Sequence, residues 1–298
     1  MTRKMFAGTN SPMGFIDFFD NIMPPPAARR RYFLKGSSGS GKSTLMKAVA
    51  AALEENGHVT ERFYCSNDAQ SLDAVTVPAI GLCVLDATAP HARDPEICGA
   101  VDVLIDLGQF LNAGKLAGHV DELITLGRRK KALYQDAADY LAKINIAAER
   151  PAPPMANDVR RLFASAITPD GVVDLAAECF RGATQRKLAS QADLLTMLGM
   201  LRDEGHDVEC FHNPLNPAEI QYLHIPVLKM AFYVEMPSLP QNAKSQLDIA
   251  VEKFAAGRQI HAKIEEIYVA AMDFGGVDAI RDCIIEHAVA KKNYCDKM

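Results

Sequence analysis

The pattern of apolar and polar residues predicts a strand, a glycine-rich loop and a helix near the start of the chain. The segment YFLK, residues 32–35, favours β-structure. After a glycine-rich stretch, Leu45, Val49 and Leu53 recur at helical spacing until a glycine ends the pattern. A second apolar run, residues 80–85, is typical of a fully buried parallel strand. Together these elements indicate an α/β fold with a mostly parallel sheet flanked by helices.

Two longer segments carry apolar stripes at helical spacing. The first segment starts at Asp102, and its stripe consists of Leu126, Leu133, Tyr140 and Ile144. The stripe of the second segment consists of Leu247, Val251, Phe254, Ile264, Ile267 and Phe274. Because such stripes pack in a core, we expect each half of the chain to carry a helical insertion or extension.

The sequence GSSGSGKST, residues 36–44, lies between the predicted strand and helix and matches the pattern GxxxxGK[ST] in the context that this motif requires. Its glycines let successive N–H groups face phosphate oxygens at a helix N-terminus. We expect Lys42 to reach the β- and γ-phosphates and to be catalytic, and the Ser43 hydroxyl to coordinate Mg²⁺. The predicted nucleotide-binding residues are Gly36, Ser37, Ser38, Gly39, Ser40, Gly41, Lys42, Ser43 and Thr44.

A metal site of this kind also needs an acidic residue at the end of a neighbouring buried strand. Asp86 follows the apolar run, so we predict that it holds Mg²⁺ and takes part in catalysis. The next residue is Ala87, whereas many motor-type ATPases have a glutamate there that orients the attacking water. Thr88, His91 and Asp68 are the other polar residues expected near the strand ends.

The chain repeats part of its own sequence. The segment FAGTNSPMGFID, residues 6–17, is similar to FASAITPDGVVD, residues 163–174. Later landmarks recur without a gap, because 21 residues separate Gly57 from Pro78 and the same spacing separates their counterparts in the second copy. Nine residues are missing from the second copy where the first has its glycine-rich loop.

The offset of 148 residues between the copies also aligns Asp86 with Val234. The second copy therefore lacks the lysine, the serine and the acid of the first. We predict two tandem related units, residues 1–150 with a nucleotide site and residues 151–298 as a degenerate copy. A proline-rich linker, residues 149–158, is expected between them.

Composition and charge narrow the classes of partner. The 298 residues, 49% of them hydrophobic and 23% charged, are enough for two domains with cores of their own. A net charge of −5 argues against nucleic acid. No apolar run approaches the roughly 20 residues of a membrane span, and no signal-peptide pattern begins the chain. We therefore expect a cytoplasmic protein with no membrane and no nucleic-acid partner.

As a set, several motifs resemble a little-characterised group of bacterial tandem P-loop ATPases. They are FAG…PMGF, KGSSGSGKSTLMK, FYCSNDAQSLDAV and LDATAPHARDPE, followed by LFASAITPDG and HNPLNPAEIQYLHIP in the second half. The resemblance covers most of the chain. It implies a P-loop NTPase fold in both units, with ATP binding and hydrolysis at residues 36–44 together with Asp86. Members of the group generally have a second phosphate-binding loop, which is eroded here.

Three functions fit these patterns. The first is a Mg²⁺-dependent ATPase whose degenerate unit regulates or completes the site, with an arginine finger from Arg160, Arg161, Arg181 or Arg186. The second is a kinase for a nucleotide or small molecule, with Arg128 and Arg129 as candidate lid residues. The third is a switch in which ATP orders either residues 66–75 or the SPMGF loop, residues 11–15, and so controls a protein partner. No NKxD-type guanine motif occurs, so ATP is the expected nucleotide in each case.

Overall fold

A computed structural model describes residues 2–144, 148–151 and 159–290. The described chain is mixed α/β, which confirms the predicted fold class at that level. Its strands are β1 (Arg3–Phe6), β2 (Gly8–Ser11), β3 (Gly14–Asp17), β4 (Arg30–Lys35), β5 (Glu61–Cys65), β6 (Asp68–Val77), β7 (Leu82–Asp86), β8 (Asp102–Asp106), β9 (Val159–Leu162), β10 (Ser165–Thr168), β11 (Gly171–Asp174), β12 (Thr184–Lys187), β13 (Val208–His212), β14 (Ile220–Ile225) and β15 (Met230–Tyr233). Its helices are α1 (Lys42–Glu55), α2 (Ala113–Ala117), α3 (Val120–Ala142), α4 (Ala176–Cys179), α5 (Gln191–Asp203), α6 (Gln241–Ala271) and α7 (Phe274–Ala290). Most of the predicted linker lies outside the described residues.

The first sheet has six strands in the order β1-β5-β6-β7-β4-β8. Within it β6 runs antiparallel to both neighbours and the other pairs are parallel, so the sheet is mostly parallel as predicted. Strand β4 lies between β7 and β8, and its buried Tyr32 and Leu34 share a core with Val49 and Leu53 of α1. Because β4 is paired on both sides and tightly packed, the sheet fixes the position at which the following loop begins.

A second sheet, with two parallel and two antiparallel pairs, follows the same plan in the order β12-β15-β14-β13-β9. Each of its pairs runs in the same sense as the corresponding pair of the first sheet. The registers correspond as well, since Ala74 pairs with Leu85 and Tyr222, 148 positions later, pairs with Tyr233. Strand β14 thus matches β6, and β15 matches β7. The connection between β12 and α5, residues 188–190, stands where the first unit has its glycine-rich loop.

The repeated sequence motif forms a small antiparallel sheet of four strands. Its two copies are the hairpins β2-β3 and β10-β11, and the pairing of β2 with β10 joins them. Gly14 and Gly171 lie in the hairpin turns with φ of 88° and 102°, where glycine is favoured. Phe6 and Phe163 exchange backbone hydrogen bonds of 2.9 and 3.0 Å. The motif therefore joins the two halves of the chain.

A buried cluster of charges also joins the halves. Arg3 contacts Glu61 at 2.8 Å and Glu209 at 2.6 Å, and Arg160 contacts the same two carboxylates at 2.8 and 2.9 Å. The pairing of β1 with β5 and of β9 with β13 puts these residues at equivalent positions of the two units. Burial alone would raise the pKa of Glu209, but Arg3, His224 and Arg160 hold that pKa well below its usual range. The repeat thus builds two matching sets of ion pairs.

Helices α6 and α7 come from the second half of the chain and pack on the first half. Helix α6 lies along α3, where the rings of Tyr134 and Phe254 meet edge to face with centroids 5.5 Å apart. Helix α7 packs on α1, and its Val277 and Ile284 complete the core around β4. Within the described ranges, none of the helices combines the length and the apolar character of a membrane span.

One segment differs from what the sequence pattern predicts. The helical segment expected from Asp102 begins instead with strand β8, which extends the sheet beside β4 and buries Asp102 against Arg31 at 2.7 Å. Of the two candidate switch segments, residues 66–75 lie mainly in strand β6 between β5 and β7, and residues 11–15 span the turn of the β2-β3 hairpin.

Candidate functional site

The candidate site lies where β4 leads into α1. We call residues 36–44 the glycine-rich loop, which runs from the end of β4 into the first turn of α1. Gly39 has a φ of 74° and Gly41 a φ of 87°, a region that residues with a Cβ rarely adopt. The first N–H groups of a helix have no partner within the helix and carry partial positive charge. This turn is therefore suited to binding an anion.

The side chain of Lys42 folds back over the glycine-rich loop. Its Nζ donates hydrogen bonds to the carbonyl oxygens of Gly36 at 2.7 Å and Ser37 at 2.9 Å. The same Nζ lies 3.6 Å from Oδ2 of Asp86, and the lysine side chain is 10% exposed. The loop thus holds a largely buried ammonium group in a defined position.

Asp86 ends β7, in the place predicted from the sequence, and β7 pairs in parallel with β4. Its Oδ1 accepts the N–H of Thr88 at 2.8 Å, while its Oδ2 faces Lys42. The Ser43 hydroxyl, in the first turn of α1, accepts the N–H of Leu72 at 3.0 Å. A hydroxyl and a carboxylate are hard oxygen donors, which Mg²⁺ prefers, so the chemistry of Ser43 and Asp86 fits this ion.

A second buried carboxylate, which the sequence pattern did not identify, belongs to Asp73 in β6. Asp73 is 5% exposed, and its Oδ1 lies 3.5 Å from Nε2 of His91. The His91 ring stacks on Phe19 with centroids 4.2 Å apart. Burial opposes protonation of His91, but Asp73, then Asp86, raise its pKa above the ordinary value. His91 and Asp73 therefore form a buried pair at this end of the sheet.

Helix α6 covers part of the glycine-rich loop. A Cβ built at Gly39 would lie 2.8 Å from the carbonyl oxygen of Glu265, so this helix can approach only a glycine. Burial and the neighbouring Asp68 raise the pKa of Glu265, whereas the nearby Gly39 backbone and the Lys42 charge oppose that rise. A carboxyl group from the second half thus lies beside the glycine-rich loop.

Helix α3 brings a positive charge, that of Lys130, to the side of the glycine-rich loop where Glu265 lies. Nζ of Lys130 lies 3.2 Å from Nδ1 of His261, and Nε2 of His261 lies 3.6 Å from Oε1 of Glu265. Burial and the Lys130 charge lower the pKa of His261 to about 4, so the ring is neutral near pH 7. Arg128 and Arg129, the candidate lid residues, are exposed on α3.

The structure brings the predicted residues of the glycine-rich loop together with Asp86, and Thr88 joins them because its hydroxyl donates to the Gly36 carbonyl at 3.4 Å. Asp68 instead accepts hydrogen bonds from the Ser71 hydroxyl and the Gln70 N–H.

The candidate arginine fingers lie away from the glycine-rich loop. Arg160 is held in the buried charge cluster, Arg161 lies over the Phe18 ring at 4.5 Å, and Arg181 and Arg186 are exposed beside β12.

No family model, curated protein or solved structure matches this chain. The chemistry that the site can perform is therefore inferred from its own residues. They provide an anion-binding turn, a fixed ammonium group, two oxygen donors suited to a metal ion, and a further buried carboxylate.

Proposed function

We propose that this protein binds ATP together with Mg²⁺ at the glycine-rich loop and hydrolyses the ATP. The observation that carries the proposal is the position of Lys42. Its ammonium group is held inside a glycine-rich turn at a helix N-terminus, 3.6 Å from a carboxylate at the end of the adjacent strand. P-loop NTPases use this combination of turn, lysine, hydroxyl and acid in transfer of a γ-phosphoryl group. The resemblance to bacterial tandem P-loop ATPases supports the same function.

Each part of the site has a separate role in this proposal. The backbone N–H groups of residues 36–44 bind the phosphate oxygens, and Lys42 neutralises charge on the β- and γ-phosphates. Ser43 and Asp86 hold Mg²⁺, which supplies positive charge to the same phosphates when bound. Because Lys42 is already held by the carbonyls of Gly36 and Ser37, little reorganisation is needed when the nucleotide binds.

Two observations favour a second function, a nucleotide-dependent switch without turnover. Ala87 stands where many motor-type ATPases have a glutamate, and Glu265 of α6 lies against the glycine-rich loop at Gly39. In a switch of this kind, the ATP phosphates compete with Glu265 for the glycine-rich loop and change the position of α6. ATP binding without phosphate release would support this function over hydrolysis.

Phosphate release from ATP with Mg²⁺ tests the proposed hydrolysis. We expect Lys42→Ala to lower the turnover number by about 100-fold or more, as loss of a charge-stabilising group does. The matched control is Lys47→Ala, an exposed lysine on the same helix, which should stay within about twofold of wild type. Equal turnover by wild type and Lys42→Ala contradicts the proposal. Consumption of ATP that depends on an added small-molecule acceptor indicates a kinase instead.

A further inference from the structure

Asp73 and Asp86 lie on adjacent strands, near the same buried histidine. Strands β6 and β7 run antiparallel, and each aspartate lies directly beyond the last pair of their ladder, Ala74 with Leu85. The pairing of β6 with β5 shifts register at Asp73, so this residue lies in a β-bulge, a feature that redirects a side chain. Against the effect of burial, both aspartates raise the pKa of His91, so their carboxylates are close to the same ring.

Each of the two carboxylates has a cationic or hydrogen-bonding neighbour of its own. Nζ of Lys42 lies 3.6 Å from Oδ2 of Asp86, and Nε2 of His91 lies 3.5 Å from Oδ1 of Asp73. His91 is 5% exposed and packs flat on Phe19, which fixes the direction of its ring. Its Nδ1 is buried and has no hydrogen-bond partner within the described ranges. His91 is thus held in place mainly by Phe19 and Asp73.

The backbone beside Asp73 contacts a residue that we propose binds the metal ion. The N–H of Leu72 donates to the Ser43 hydroxyl at 3.0 Å. Asp73 is therefore adjacent in sequence to Leu72, which contacts Ser43, and it lies on the strand next to the one that carries Asp86. Within β6, Asp73 is the buried carboxylate, and it lies in the middle of the strand beside the residue that contacts Ser43.

The second unit offers an internal comparison. The register of β14 with β15 places Gln221 at the position of Asp73 and Val234 at the position of Asp86. The N–H of Val234 donates to the Gln221 carbonyl at 3.2 Å, so these two positions face each other. The unit without the glycine-rich loop therefore has neither carboxylate. Strand pairing alone does not require Asp73, since β14 and β15 pair without an acid there.

We propose that Asp73 orients the water that attacks ATP and accepts its proton, in place of a glutamate after Asp86, and that His91 is a positioning residue for Asp73. This inference rests on the proposed hydrolysis at the glycine-rich loop. In the step, the water oxygen forms a bond to the γ-phosphorus while the bond from that phosphorus to the bridging oxygen breaks. The electron pair of the broken bond leaves with ADP, one proton of the water passes to the Asp73 carboxylate, and phosphate is the second product.

The test compares turnover with nucleotide affinity in the full chain. We expect Asp73→Asn to lower the turnover number by about 100-fold or more while the Kd for ATP with Mg²⁺ changes by less than about threefold. Asp73→Gln, which introduces the residue of the second unit, should behave alike and guards against a folding defect of the first variant. Asp207→Asn removes an exposed carboxylate of the second half and serves as the matched control, with turnover like that of wild type.

The role of His91 is tested by a double-mutant cycle. His91→Gln should lower turnover about tenfold, and adding it to Asp73→Asn should cause no further loss, because His91 acts through Asp73.

Three outcomes overturn the inference. They are turnover of both Asp73 variants within about threefold of wild type, loss of ATP binding in step with turnover, and additive losses in the cycle. The Lys42→Ala variant separates the two proposals. If wild-type turnover depends on Lys42 and not on Asp73, hydrolysis stands and the role of Asp73 is wrong. If wild type shows no turnover, both proposals are wrong.

Discussion

Replacing Glu209 with glutamine removes one of the two carboxylates that join the halves of the chain. Glu209 accepts hydrogen bonds from Arg3 at 2.6 and 3.1 Å and from Arg160 at 2.9 Å, and it lies 2.7 Å from Nδ1 of His224. Glutamine keeps nearly the same size but carries no charge. In the Glu209→Gln variant, Arg3 and Arg160 therefore share the single negative charge of Glu61.

The burial of this cluster sets the size of the effect. The side chains of Glu61 and Glu209 are 5% and 7% exposed, so water cannot replace the lost contacts. Removing one partner of a buried ion pair costs about 3–5 kcal/mol, because the other charge stays buried. We expect the same loss in the free energy of unfolding, which is a large share of the roughly 5–15 kcal/mol typical of a folded protein.

Urea unfolding followed by far-ultraviolet circular dichroism measures this loss. The matched control is Glu235→Gln, which breaks the ion pair with Lys187 at 2.6 Å, where the two side chains are 68% and 52% exposed. An exposed pair of this kind contributes less than about 1 kcal/mol. Equal losses of unfolding free energy in the two variants would show that burial does not strengthen the contribution of the cluster to stability, and would refute the reasoning.

Two further predictions concern Glu265 and His212. Glu265→Gln removes a negative charge beside the glycine-rich loop, so calorimetry should show a Kd for ATP about three- to tenfold lower, with the exposed Glu266→Gln as control. Weaker binding would count against this competition. Burial and the Arg161 charge lower the pKa of His212 to about 3, below its unfolded value of about 6.5. The unfolded chain then binds one more proton between these values, so stability falls as the pH drops, by about 2 kcal/mol from pH 7 to pH 5. In urea titrations, His212→Gln should remove this part of the pH dependence and the exposed His119→Gln should keep it; an unchanged slope in His212→Gln would refute the assignment.

The geometry around Lys42 and Asp86 could be predicted from the sequence because it is local. The spacing of the glycines, the lysine and the serine fixes a turn between one strand and one helix, and the apolar run before Asp86 predicts the neighbouring strand. The structure has β4, α1 and β7 in these places. Their chemical role remains a prediction until nucleotide binding is measured.

The contacts of Asp73 and Glu265 could not be predicted in this way, because they depend on tertiary structure. Asp73 comes close to the strand that carries Asp86 only because β6 returns antiparallel beside β7, and Glu265 reaches Gly39 only because α6 packs across the first half. The same limit explains why β8 is mistaken for the start of a helix, since its pairing with β4 decides its conformation.

The buried charge cluster did leave a signal in the sequence. An arginine stands three residues before the phenylalanine of each repeated motif, as Arg3 and Arg160, and a glutamate stands four residues after each matched glycine, as Glu61 and Glu209. Charged residues that recur in both copies of a repeat can pair with each other across a two-fold-like interface. The recurrence is visible in the sequence, but only the structure shows that the four side chains meet.

Isothermal titration calorimetry with ATP and Mg²⁺, on wild type and on Lys42→Ala, tests the central proposal most directly. We expect wild type to bind one ATP per chain, because the second unit lacks the glycine-rich loop. Loss of a charged hydrogen-bonding group should raise the Kd of Lys42→Ala by about tenfold to 100-fold, with Lys47→Ala unchanged. No binding by wild type, or equal binding by wild type and Lys42→Ala, would contradict a nucleotide site at residues 36–44.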